Sequence, residues 1–75
     1  MWTVKICDAS KTLASWREDY AMAPTKEQLV ESLELQGMLE LAIIVLASTH
    51  APMHVCSKRL IDGEVFETKR VAFYV

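Results

Sequence analysis

Little in this chain is of the kinds that punctuate, cross-link or span. Of its 75 residues only two are Gly and two are Pro, which excludes a flexible linker, a Pro-rich segment or a low-complexity tract. Cysteine is limited to Cys7 and Cys56, too few for the disulfide framework that holds small secreted domains together. No basic-then-apolar leader is visible, so a reduced, cytoplasmic setting is expected. The longest apolar run, Leu41 to Ala47, is far shorter than the roughly 20 residues that a membrane-spanning helix needs. Positive charge is also in short supply: eight Lys and Arg stand against ten Asp and Glu, a formal net charge of −2. Such a balance provides no general attraction for nucleic acid or for an anionic membrane surface.

What the chain does have is apolar content. At 52% hydrophobic and 24% charged it is too apolar for a disordered segment and reads as one small domain over residues 1–75. A chain of this length buries only about 60% of its unfolded surface when it folds, so apolar area is left over. Several Ala absorb part of that surplus. The remainder points to lasting contact with another protein surface, in a chain whose size and composition are common among very small bacterial and phage proteins.

Trp2, Val4 and Ile6 alternate with Thr3, Lys5 and Cys7, and this period of two predicts a strand over 2–7 with one buried face. Asp8-Ala9-Ser10-Lys11 supplies short polar side chains for a turn. Beyond it Ala14, Trp16, Tyr20 and Met22 share one parity, which predicts a hairpin partner that bulges or ends near Glu18. Pro24-Thr25-Lys26-Glu27-Gln28 places Thr and Gln at capping-box spacing, so a helix is expected to start at Thr25. Leu29, Val30 and Leu33 lie within one arc of that helix and Glu27, Glu31 and Glu34 lie opposite. Gly37 then offers the left-handed conformation that closes many helices.

After Gly37 the helical phase does not carry through, because Glu40 would project at nearly the angle of Leu29 and Leu33. The consecutive β-branched trio Ile43-Ile44-Val45 favours a central strand over 41–46, with a second, buried helical segment to about Ser48 as the other possibility. Further on, Asp62-Gly63 between two β-rich runs is the preferred centre of a two-residue type I′ turn. The turn fixes a register pairing Leu60 with Val65, Lys58 with Glu67, Cys56 with Lys69 and His54 with Val71.

The expected architecture is therefore α+β: a small antiparallel sheet of four to five strands, ordered ββαβββ or ββαββ, with one amphipathic helix packed on one face. Trp2, Val4, Ile6, Trp16, Leu29, Leu33, Ile43 and Val45 form the expected core.

Few residues carry chemistry. His50, His54, Cys56 and Cys7 are the soft metal-ligand candidates, but the spacing H-x3-H-x-C lacks the close ligand pairs of zinc sites, and no metal or other cofactor is expected. His54 and Cys56 share a strand face and allow a weak thiol- or metal-dependent reading, although no oxyanion site or orienting third group accompanies them. Lys58, Arg59, Lys69 and Arg70 gather near the second hairpin, with Lys58 and Lys69 on one face and Arg59 and Arg70 on the other. A nucleic-acid-associated accessory role is thus the alternative function. The leading expectation is a non-enzymatic protein–protein interaction module, homodimeric, that binds another protein through two features. One is the acidic helix face of Glu27, Glu31 and Glu34. The other is the C-terminal strand, whose Val71-Ala72-Phe73-Tyr74-Val75 has no proline or charge to blunt an open edge and is expected to pair with its own copy through Phe73 and Tyr74.

Overall fold

The computed structural model describes residues 1–75. Two strands, β1 (Trp2–Asp8) and β2 (Lys11–Glu18), are followed by two helices, α1 (Lys26–Leu35) and α2 (Leu39–Ala47), and two further strands, β3 (Met53–Ile61) and β4 (Glu64–Tyr74). The strands form one sheet in the order β2-β1-β4-β3.

The α+β class holds, with two corrections. Residues 39–47 are a second helix in place of a strand. The β-branched trio is tolerated there because Leu39, Leu41, Ala42, Leu46 and Ala47 around it are good helix formers, and because Ala42 and Val45 bury against the core one turn apart. Ile43, placed in the core on the sequence pattern, lies on the outer side of this helix and is 66% exposed. The sheet is also mixed: β1 pairs antiparallel with β2 but parallel with β4. A parallel neighbour needs a crossover, and the α1–α2 segment makes it by carrying the chain over one face from the β2 edge to the β3 edge.

Local signals act as the sequence implies. Thr25 accepts from the Gln28 amide at 3.2 Å while the Gln28 side chain accepts from the Thr25 amide at 2.9 Å, a complete capping box. Gly37, at φ +79°, ends α1 in the left-handed region. The Met38 and Gly37 amides donate to the carbonyls of Leu33 and Glu34 at 2.9 and 3.0 Å, closing a Schellman turn that leads directly into α2. Lys26 Nζ donates to the Leu46 and Ser48 carbonyls at 3.1 and 3.0 Å, so the start of α1 caps the end of α2. The β3–β4 register is the one that Asp62-Gly63 implies, residue for residue, and both turn residues have positive φ. The β1–β2 hairpin turns at Ala9-Ser10 and β2 ends at Glu18, as expected, while a separate bulge lies between Ile6 and Cys7, opposite Thr12 and Ala14.

The core is a single cluster under the helices: Trp2, Val4 and Ile6 from β1, Ala14 from β2, Leu29, Val30 and Leu33 from α1, Ala42 and Val45 from α2, and Val71 and Phe73 from β4. Trp16 and Tyr20 pack at its margin, partly buried. The C-terminal strand is not an edge. β4 lies between β1 and β3, and Phe73 is buried completely, so edge pairing through Phe73 is replaced by an internal role, with Tyr74 exposed beside it.

Candidate interaction surface

Two regions stand outside this core. The first is the far half of the β3–β4 hairpin. β1 meets β4 only from Arg70 to Tyr74, and Glu64–Lys69 pairs with β3 alone. Residues 56–69 therefore form a two-stranded arm that projects past the Trp2 end of β1. Every residue of β3 is exposed. On the side of the sheet that carries the helices, the arm presents the cross-strand pair Leu60–Val65 near its tip, 74% and 68% exposed. The opposite side presents Ile61 and Phe66. A lone two-stranded ribbon is at best marginally stable in water, so a ribbon with this much apolar surface lacks a supporting layer.

The second region is the outer side of α2. Leu39, Ile43 and Leu46 recur at i, i+4 and i+7 and make one exposed apolar stripe, with Ile44 exposed farther round. Apart from Glu40 the helix is apolar all round, and a helix of that kind is normally buried on every side. No helix of the protein is long and apolar enough to cross a membrane. Between α1 and α2 the stripe continues into a groove lined by Val30, Glu34, Leu39, Ala42, Ile43 and Leu46, in which Glu34 is the sole charged residue.

The other residues singled out in the sequence are dispersed. Glu27, Glu31 and Glu34 are exposed along the outer side of α1, as their spacing implies. Lys58 and Lys69 share one side of the arm and Arg59 and Arg70 the other; Lys69 Nζ lies 3.7 Å from a Glu67 carboxylate oxygen. Cys7 is buried and Cys56 exposed. His54 stacks edge-on to Trp2 with ring centroids 5.8 Å apart, and its Nε2–H donates to the Pro24 carbonyl at 2.7 Å. His50 Nδ1–H donates to the Tyr74 carbonyl at 2.6 Å. Both histidines thus hold backbone segments in place, and no three His, Cys, Asp or Glu side chains come together as a metal set.

One constellation was not foreseen. Glu18 Oε1 receives the Ser32 hydroxyl at 2.7 Å, the Tyr20 phenol at 3.1 Å and the Trp16 indole N–H at 3.2 Å, and the Tyr20 and Ser32 oxygens are 2.7 Å apart. The network ties the end of β2 to α1 across 14 positions of sequence. Burial pushes the Tyr20 phenol above its ordinary pKa, and the Glu18 carboxylate beside it acts in the same direction. Glu18 had marked an irregularity of β2, and the spacing of Ser32 gave no sign of their meeting.

Comparison with protein-family models, with curated proteins and with solved structures gives no match.

Proposed function

We propose that this chain is a non-enzymatic interaction module that acts by covering, and being covered by, the surface of another protein chain. What carries this reading is the placement of its exposed apolar residues: of fourteen large hydrophobic side chains left in solvent, ten lie on α2, β3 and the outer half of β4. Scattered exposed hydrophobics need no partner, but a concentrated set does. The dimensions agree. A compact monomer of 8.5 kDa exposes about 4,700 Å², whereas this chain exposes 5338 Å². Its radius of gyration is 13.4 Å, against about 11.3 Å for a compact chain of 75 residues. The excess surface, roughly 700 Å² on that scaling, is close to the roughly 800 Å² that each partner contributes to a standard interface.

The nucleic-acid alternative has less support. Lys58, Arg59, Lys69 and Arg70 are divided between two sides of the arm, and Lys69 is engaged by Glu67, which leaves no continuous basic stripe for a phosphate backbone. A thiol- or metal-dependent role at His54 and Cys56 has less still, since His54 Nε2 is committed to the Pro24 carbonyl and no third ligand-type side chain joins the pair.

The test is affinity capture from native-host extract with the wild-type chain and with the double variant Ile43→Glu/Leu60→Lys, followed by reconstitution from purified components. A captured chain that binds stoichiometrically to wild type and at least about tenfold more weakly to the variant supports the module. Capture indifferent to both substitutions would overturn it.

A further inference from the structure

We infer that the occupant of the α1–α2 groove is the arm of a second copy of this chain, in a reciprocal two-fold dimer. The inference rests on the interaction-module reading and deepens it by naming the partner. Both halves of the contact are present in every copy. The groove is apolar with a single carboxylate, Glu34, at its side. The arm offers the Leu60–Val65 pair as an apolar tip, backed on the same side by Lys58 opposite Glu67 and then by Lys69, two ammonium groups against one carboxylate. Seating Leu60 and Val65 against Leu39, Ile43 and Leu46 sets this net-positive side of the arm beside Glu34, so polarity and net charge are complementary across the joint.

The architecture points the same way. The arm's Leu60–Val65 side is the side of the sheet on which the chain's own helices lie, yet those helices stop short of it. A second copy's α2 laid there continues the two-layer packing of the body and gives the ribbon the support that its own chain withholds. Two-fold symmetry makes the joint twice, arm to groove and groove to arm, so each copy contributes both its surpluses. The excess surface per chain, roughly 700 Å² over a compact chain of this mass, is comparable in size to the roughly 800 Å² that one side of a standard interface buries.

Because the joint is formed by two different surfaces, it can be broken on either side and restored by mixing. Ile43→Glu damages the groove and Leu60→Lys damages the arm, both at exposed positions. Light scattering over concentrations from roughly micromolar to roughly a hundredfold higher is expected to show a dimer for wild type and a weakening of at least about tenfold for each variant alone. An equimolar mixture of the two is expected to recover dimer mass, since one joint is then wholly native and the other sets the introduced carboxylate of one copy against the introduced ammonium of its partner. Leu46→Glu and Val65→Lys repeat the test from neighbouring positions, and a misfolded variant could not contribute to the recovered species. Mixtures that remain monomeric in both pairs would overturn the arm-to-groove joint. Wild type monomeric throughout, with variant-sensitive capture of a different protein, would overturn the second copy and leave the module standing; monomeric wild type with indifferent capture would overturn both.

Discussion

The two hairpins of this protein obey the same local rules and end in different situations. β1–β2 turns through Ala9-Ser10, and one of its sides carries Trp2, Val4, Ile6 and Ala14 into the core. β3–β4 turns through Asp62-Gly63 with an unbroken register, and its outer half carries Leu60, Ile61, Val65 and Phe66 into water. Turn chemistry builds a hairpin whether or not anything lies on it. Burial depends on the helices, and they cover β1, the end of β2 and Val71 to Phe73 of β4 before the layer runs out. The first hairpin's apolar side is therefore explained within the chain, and the second's is explained by a surface the single chain does not contain.

The sharpest way to break this contrast is to truncate one side chain in each region. Phe73→Ala empties a fully buried site and is expected to cost roughly 3–5 kcal/mol by chemical denaturation, a large part of the stability of so small a domain. Leu60→Ala, made at dilutions where the chain is alone, is expected to change folding stability by less than about 0.5 kcal/mol. Equal costs would mean that the arm belongs to the same packed unit as the core.

The Glu18 network gives the next largest effect. Glu18→Ala removes the shared acceptor of Ser32, Tyr20 and Trp16 and is expected to cost roughly 1–3 kcal/mol. Its pH signature follows from Tyr20. Folding favours the neutral phenol, so the folded-state pKa is raised. The associated stability is present in full below the unfolded value near pH 10 and is lost as pH rises through the folded one. Urea midpoints should be insensitive to this group at about pH 8 and fall at about pH 11, and Tyr20→Phe should remove that component of the fall. A fall of the same size in the Phe variant would assign it to other groups.

Two glycines then separate body from arm at a finer scale. Both have positive φ, and an added Cβ would meet nothing at either, so the cost of substitution is conformational alone. Gly37→Ala strains the turn between α1 and α2 and is expected to lower global stability by about 1 kcal/mol. Gly63→Val strains the tip of the arm more severely, yet is expected to abolish amide protection in residues 60–65 while leaving the melting of the body within about 0.5 kcal/mol of wild type. Smallest of all, Asp62→Asn should be nearly silent, because Asn adopts the left-handed region at least as readily as Asp. Loss of global stability in the Gly63 variant would erase the distinction between the two hairpins.

How much of this was legible in the sequence follows from the range of each signal. The capping box at Thr25, the left-handed Gly37 and the Asp62-Gly63 register each depend on residues within a few positions of one another, and all three could be read. The alternation of Trp2, Val4 and Ile6 placed β1 for the same reason. Residues 39–47 misled because β-branched side chains and a broken helical phase are what a buried strand also shows; the break in phase is real and arises because Gly37 starts a new helix with its own axis. The parallel meeting of β1 with β4 and that of Glu18 with Ser32 join distant segments and leave no local mark. As for the surface, Glu27, Glu31 and Glu34 were legible as an outer face, and the surplus of apolar content was legible as a quantity. Its location was assigned to Phe73 and Tyr74 of the last strand, whereas the sheet encloses that strand and leaves Leu60, Val65, Ile43 and Leu46 outside.

Amide hydrogen exchange across residues 56–69, followed as a function of protein concentration, tests most directly whether the arm takes its support from a second copy. At high concentration these amides should be protected to a degree approaching those of β1, and on dilution through the dimer dissociation range their protection should collapse while that of Val4 and Ile6 persists. Arm amides that exchange at one rate at every concentration, whether as slowly as the core or as fast as an open ribbon, would contradict it.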